Sequence, residues 1–126
     1  MIVFPKPEAE IIRVVKARVP NVTAAAKAPQ TMPDRFVRPV AAGGSKRSLV
    51  LSQRICQVFA YAATESAAAG LIEDTVAALV AAGYDSAEKT IRGVTVVGEP
   101  SYYPDPDTDR PRYSATVALL LRGRGA

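Results

Sequence analysis

The segment LVLSQRICQVFAYAATESAAAGLIEDTVAALVAAG, residues 49–83, changes period halfway along. As far as Ala63 it alternates. Cys56, Val58, Ala60 and Ala62 fall on one side of an extended chain, and Ile55, Gln57, Phe59 and Tyr61 on the other, because successive side chains of a strand point to opposite faces. The first side is small and smooth; the second is aromatic and partly polar. Leu49 to Ala63 therefore reads as a central strand. Beyond it Leu71, Ile72, Thr75, Val76 and Leu79 recur at helical spacing and predict a helix over 65–82. Thr64 is its natural N-cap, and Glu65 complements the helix dipole in the first turn. Gly83 is expected to end it in the left-handed conformation. Ala67 to Ala69 and Ala77-Ala78 allow the helix to approach a sheet closely, with the small face of the preceding strand as partner.

Upstream, Pro7 followed by Glu8 and Glu10 marks a helix start, since proline suits the first turn and acids favour that end of the dipole. Ile11, Val14 and Val15 continue the helix to about residue 18, before Pro20 stops it. A short strand is expected within Val22 to Ala26. Arg35 to Val40 alternates as an edge strand, where Pro39 is tolerated. Ala41 to Ser48, with Gly43-Gly44 and Lys46-Arg47, reads as a flexible basic loop.

Downstream, Thr90 to Val97 is rich in β-branched residues and predicts a strand. Tyr113 to Arg122 predicts another, apolar on both faces and hence buried on both sides. Between them residues 98–112 form a connection longer than ordinary hairpin loops. The element order predicts one α+β domain over 1–126: a mostly antiparallel sheet of four to five strands with two helices on one face.

The chain is basic, with sixteen Lys/Arg against twelve Asp/Glu. Residues 1–63 hold ten Lys/Arg and three Asp/Glu, residues 64–126 six and nine. Either unlike surfaces of identical subunits meet head to tail, or the halves interleave and the asymmetry vanishes in space. Cations scattered singly, apart from Lys46-Arg47, argue against a nucleic-acid-binding module. The N-terminus lacks the pattern of a secretion signal, and apolar runs such as Val117 to Leu121 fall short of a membrane span. No membrane is expected.

The inventory for chemistry is sparse. With no histidine and one cysteine, the chain lacks the commonest general base and any thiolate metal set, so neither an enzyme nor a cofactor is expected. Cys56 reads as an inert buried thiol. Gly43 to Ser48 lacks the glycine spacing of a phosphate-binding loop. Asp105, Asp107 and Asp109 alternate like the start of a calcium loop, but Arg110 and Thr116 stand where glycine and glutamate are needed. These acids read as turn residues satisfied by backbone amides. Tyr102, Tyr103 and Tyr113 either offer contact surface or fold back over the sheet edge.

Pro33-Asp34-Arg35-Phe36-Val37-Arg38, the Gly43-Gly44 loop, and the strand Ile55 to Ala63 leading into an alanine-rich helix are followed by Pro104-Asp105-Pro106, Arg110-Pro111-Arg112-Tyr113 and a closing strand ending Leu121-Arg122-Gly123. In this order they resemble the tail terminator proteins of siphophages, especially those infecting actinobacteria, over roughly residues 5–123. The resemblance implies an α+β subunit of a hexameric ring in the virion tail or neck, assembled in the host cytoplasm. Such a ring caps the tail tube protein, stops its polymerisation and meets the head connector, while DNA passes through the lumen without sequence-specific binding. Another neck component, such as a head-completion or connector protein, is the alternative. The resemblance carries no residue-level site. From the residues themselves, Arg35, Arg38, Lys46, Arg47, Phe59 and Tyr61 are expected at the subunit interface, and Tyr102, Tyr103, Arg110 and Arg112 at the axial partner.

Overall fold

The computed structural model describes residues 1–125. In chain order the elements are β1 (Ile2–Val3), α1 (Pro7–Arg18), β2 (Thr23–Ala24), β3 (Arg35–Lys46), β4 (Leu51–Ala62), α2 (Glu65–Tyr84), β5 (Ile91–Tyr102), β6 (Arg112–Arg122) and β7 (Arg124–Gly125). Five strands form one sheet in the order β2-β3-β4-β6-β5, antiparallel except for the short β2–β3 pair. β1 and β7 pair separately and tie the two ends of the chain together. The α+β class, the mostly antiparallel sheet and the two helices on one face are as the sequence predicts.

The core lies between that face and the helices. Cys56, Val58 and Ala60 of β4 and Ala115, Val117 and Leu119 of β6 meet Ile11, Val14 and Val15 of α1 and Leu71, Ile72 and Leu79 of α2. Burial of each large aliphatic side chain stabilises the fold by about 1.5–3 kcal/mol. Thr64 caps α2 as expected, its Oγ1 accepting from the Ala67 amide at 3.1 Å. α2 is long and apolar enough, by length and composition, to cross a membrane. Its apolar stripe is packed in this core, and the alanines supply most of the remaining hydropathy.

Three local readings change. Residues 41–46 are not a loop, because β3 continues to Lys46 through a bulge between Ala41 and Gly44. Gly43 and Gly44 hold φ of 97° and 138°, and a Cβ on Gly44 would strike the Gln53 carbonyl of β4. The glycines that suggested flexibility instead let two strands stay paired through a bulge. The 98–112 connection is shorter than expected, because β5 extends to Tyr102 through irregularities around Gly98. Gly83 lies inside α2, and its helical conformation shows that it does not serve as a left-handed cap. A Cβ there would meet the Val94 amide nitrogen at 2.8 Å, so the glycine allows close approach of helix and β5.

Ion pairs hold α1 to the turn after α2. Arg13 bridges Glu10 at 2.9 Å and Glu88 at 2.7 Å, and Arg18 meets Asp85 at 2.8 Å. Burial alone would raise the Glu88 carboxyl; hydrogen bonds and charge from Arg13 outweigh it and hold it below its ordinary value. A carboxyl depressed in the folded state adds stability that is full above its unfolded pKa and is lost as pH falls through the folded one.

Two outcomes follow from this packing. Gly83→Ala gains about 1 kcal/mol of helix propensity, but crowding of Val94 costs about 1–3 kcal/mol. The expected net result is a lower melting temperature, and a rise would show that β5 can yield. Stability in urea is expected to fall as pH drops below the ordinary glutamate value of 4.5. Glu88→Gln should flatten that acid limb, and an unchanged profile would remove the Arg13–Glu88 pair from the account.

Candidate assembly surfaces

The second face of the sheet carries no helix. Along β4 it presents Leu51, Gln53, Ile55, Gln57, Phe59 and Tyr61, and the register sets these opposite Arg122, Leu120, Ala118, Thr116, Ser114 and Arg112 of β6. The two ends of this face differ. At the Tyr61 end, Ala25 and Met32 of the excursion between β2 and β3, with Val40, pack against a small cluster of Phe36, Phe59 and Tyr61. Toward Leu51 the face is bare. Leu51, Gln53, Gly93, Thr95, Ala118 and Leu120 line a shallow groove of about 370 Å³ there. Ile55, Gln57 and Thr116 are half-buried by their neighbours alone.

Arginines hold the irregular backbone on both sides of β2 by its carbonyl groups. Arg35 Nε donates to the Asn21 carbonyl at 3.1 Å, and Arg38 Nε to that of Ala26 at 3.0 Å. Arg110 reaches the Pro33 carbonyl at 2.6 Å and the Asp34 carbonyl at 3.3 Å. Its own Nε is buried with no acceptor among the described residues. Asn21 bends the turn between α1 and β2 with φ of 53°, a conformation asparagine tolerates better than most side chains.

Arg112 is the most enclosed of these cations, 7% exposed. Its guanidinium lies 4.4 Å from the Phe59 ring centre, 5.1 Å from Tyr103 and 5.6 Å from Tyr61. It donates to the Tyr103 carbonyl at 2.8 Å and to the Tyr61 hydroxyl at 3.2 Å. Among the described residues no carboxylate comes within ion-pair distance of it. The three ring faces therefore supply most of the electrostatic compensation. Asp105 feels its charge more weakly. The Asp107 amide is the main reason that the Asp105 carboxyl lies below its ordinary value; slight burial opposes this, and Thr108 and Arg112 assist. Of the three acids, Asp105 does what the sequence suggested, accepting from the Asp107 amide at 3.0 Å.

The residues expected at subunit and axial contacts are distributed differently from the expectation. Tyr61, Phe59 and Arg112 are interior, at 2%, 8% and 7% exposure. Arg35, Arg38 and Arg110 bind backbone within the chain. Lys46 sits over the Phe4 ring at 5.3 Å, and Arg47 donates to Gln53. Tyr102 and Tyr103 remain exposed, although Tyr102 leans on Tyr113 with ring centres 5.4 Å apart. Tyr102 and Arg112 stand on strands, so the connection itself is residues 103–111. The sequence reading expected β6 to be buried on both sides; instead its Thr116 and Leu120 lie on the bare face beside Ile55, where no helix packs. The signal of that face was present in the polar residues Gln53, Gln57 and Thr116 alternating with core positions.

Cys56 is fully buried, and burial pushes its thiol up to about 11. A thiol of this kind stays protonated and unreactive at neutral pH. Among the described residues no group of three or more His, Cys, Asp or Glu could hold a metal ion.

Arg112→Met is expected to cost about 2–4 kcal/mol in urea unfolding, from lost hydrogen bonds and ring contacts. Arg112→Lys should recover little, because an ammonium lacks the planar face and the Nε donor. Full recovery by lysine would mean that charge alone matters at this position.

No family model matches the chain, and no curated protein matches it either.

Proposed function

We propose that this chain is a non-enzymatic structural subunit, a siphophage tail terminator, which closes with copies of itself into a ring of six on the end of the tail tube. The reading begins from the ordered sequence features between residues 5 and 123. The observation that carries it is the half-covered sheet. One face is sealed by α1 and α2, and the other is left bare over Gln53, Ile55, Thr116 and Leu120. An antiparallel sheet can leave one face to solvent. Here that face mixes aliphatic, amide and hydroxyl groups, which suits contact with protein.

In this reading the ring stops tube polymerisation by presenting an end that a further ring of tube protein cannot extend. The 103–111 connection with Tyr102 and Tyr103 projects from one end of the sheet and supplies axial contact to the tube or the head connector. Viral DNA passes through the lumen and is not read by sequence. The subunit assembles in the host cytoplasm and stays in the virion neck.

Electron microscopy of the purified protein and of phage necks tests the ring, with sixfold particles at the head-proximal end of the tail as the expected result. The double change Tyr102→Ala, Tyr103→Ala tests the axial contact. Circular dichroism should show the domain still folded while tails grow past their normal length. Capped tails of normal length would remove the two tyrosines from the capping surface.

A further inference from the structure

One cleft of the domain gathers cations whose donors the chain leaves unused. Its floor is the Tyr61 end of the helix-free sheet face, where the register places Arg38 of β3 beside Phe59 of β4, and Arg112 of β6 beside Tyr61. Ala28, Pro29 and Met32 of the arm between β2 and β3 form one wall, and Tyr103, Asp105 and Pro106 of the 103–111 connection form the other. The space between them is about 530 Å³, within the range of small-molecule sites. Arg112 is 7% exposed, with its Nε bonded to the Tyr103 carbonyl and its Nη1 to the Tyr61 hydroxyl. Its Nη2 makes no hydrogen bond among the described residues, and neither do the two Nη atoms of Arg38, whose Nε holds the Ala26 carbonyl. The one buried side-chain nitrogen without a partner among those residues is Arg110 Nε. The three free donors of Arg38 and Arg112 therefore meet solvent, and both residues line the cleft.

We propose that this cleft binds a small organic monocarboxylate with an apolar stem, its carboxylate on Arg112 and Arg38 and its stem between the rings and the arm. Arg112 has ring faces around it and no carboxylate within ion-pair distance among the described residues. A ligand carboxylate supplies the missing counter-charge through charge-assisted hydrogen bonds. Because the guanidinium is enclosed, that attraction is stronger than on an open surface. Phe59, Tyr103, Met32 and Pro29 offer rings and aliphatic groups to the stem. Such a site needs no second copy of the chain and is independent of the ring reading.

Two acids share the cleft with the two arginines. Asp105 accepts from the Asp107 amide at 3.0 Å, and the Asp107 side chain is exposed on the connection side. The lining charges thus cancel, and the long-range attraction that concentrates polyanions is absent. What remains is short-range contact. A single carboxylate makes it at the arginines, away from the acids, while its stem gains from the rings.

The test titrates the full chain with phenylacetate at constant ionic strength and follows the Arg112 Nε–Hε resonance by nuclear magnetic resonance. A saturable shift is expected, with affinity at least about ten-fold above that for phenylacetamide, the uncharged isostere, or for inorganic phosphate. Arg112 stays unaltered, because its loss would destabilise the domain. Ala28→Trp, at an exposed position on the wall, narrows the cleft and should weaken phenylacetate at least about ten-fold. Asp107→Asn, also exposed, removes a like charge and should tighten it about two-fold. Circular dichroism checks the fold of both variants.

Absence of a saturable shift at tens of millimolar phenylacetate overturns the site. Equal binding of phenylacetamide does so too, since the rings alone would then account for it. Unchanged affinity in either variant, or tighter binding of phosphate than of phenylacetate, also removes the carboxylate from this cleft. Each of these results leaves the ring reading as it stands, because none of them reads assembly.

Discussion

Everything in this domain depends on how closely α2 can lie on β4, β6 and β5. The strands offer Cys56, Ala60 and Ala115 at the contact, and the helix offers Ala78 and Ala82. Small residues bring backbones together, so the larger Leu71, Ile72 and Leu79 can fill the remaining space with the side chains of α1. Gly83 extends this close approach to the final turn of the helix, against Val94 of β5. Because alanine buries little area, a core of this composition gains much of its density from proximity. A few larger side chains then carry most of the hydrophobic stabilisation.

The basic residues have two distinct roles, and the fold separates them. Arg35, Arg38, Arg110 and Arg112 sit at one end of the sheet and bind carbonyl groups and ring faces. Arg38 and Arg110 fasten the irregular excursion between β2 and β3, and Arg35 the turn before β2, giving partners to backbone that would otherwise lack them. An arginine can do this because its planar fork offers several donors in fixed directions. At the other end, Arg47, which donates to Gln53, and Arg122 remain exposed beside a face that no helix covers among the described residues. The asymmetry between the two sequence halves is therefore neither lost nor kept whole in space. Part of it reappears between single elements: β3, β4 and β6 hold no carboxylate and α2 no cation, while α1 and β5 each carry both signs.

The residues that hold the domain together and those left on its surface are separate sets. The apolar stripe of α2 is used inside the domain, while its exposed line of acids and small residues makes no ion pair within the described chain. The aromatic side of β4 is divided in the same way. Phe59 and Tyr61 are enclosed under the arm, whereas Ile55 and Gln57 on the same side are half-open.

Periodicity was enough to read α1, β4, α2 and β6 from the chain itself, nearly to the residue, because alternation and helical spacing are local properties of side chains facing a common core. Thr64 as a cap and Pro39 near an edge were legible for the same reason. What the sequence could not carry was the use of residues whose partners lie far along the chain. Gly43 and Gly44 suggest a loop until the carbonyl of Gln53 is known to face them. Gly83 reads as a helix end until Val94 is known to press on it. Phe59, Tyr61 and Arg112 read as contact residues until the arm is known to fold over them. Spacing along the chain fixes which side a residue faces; only the tertiary structure decides what lies on that side, because the partner's approach depends on contacts between segments tens of residues apart.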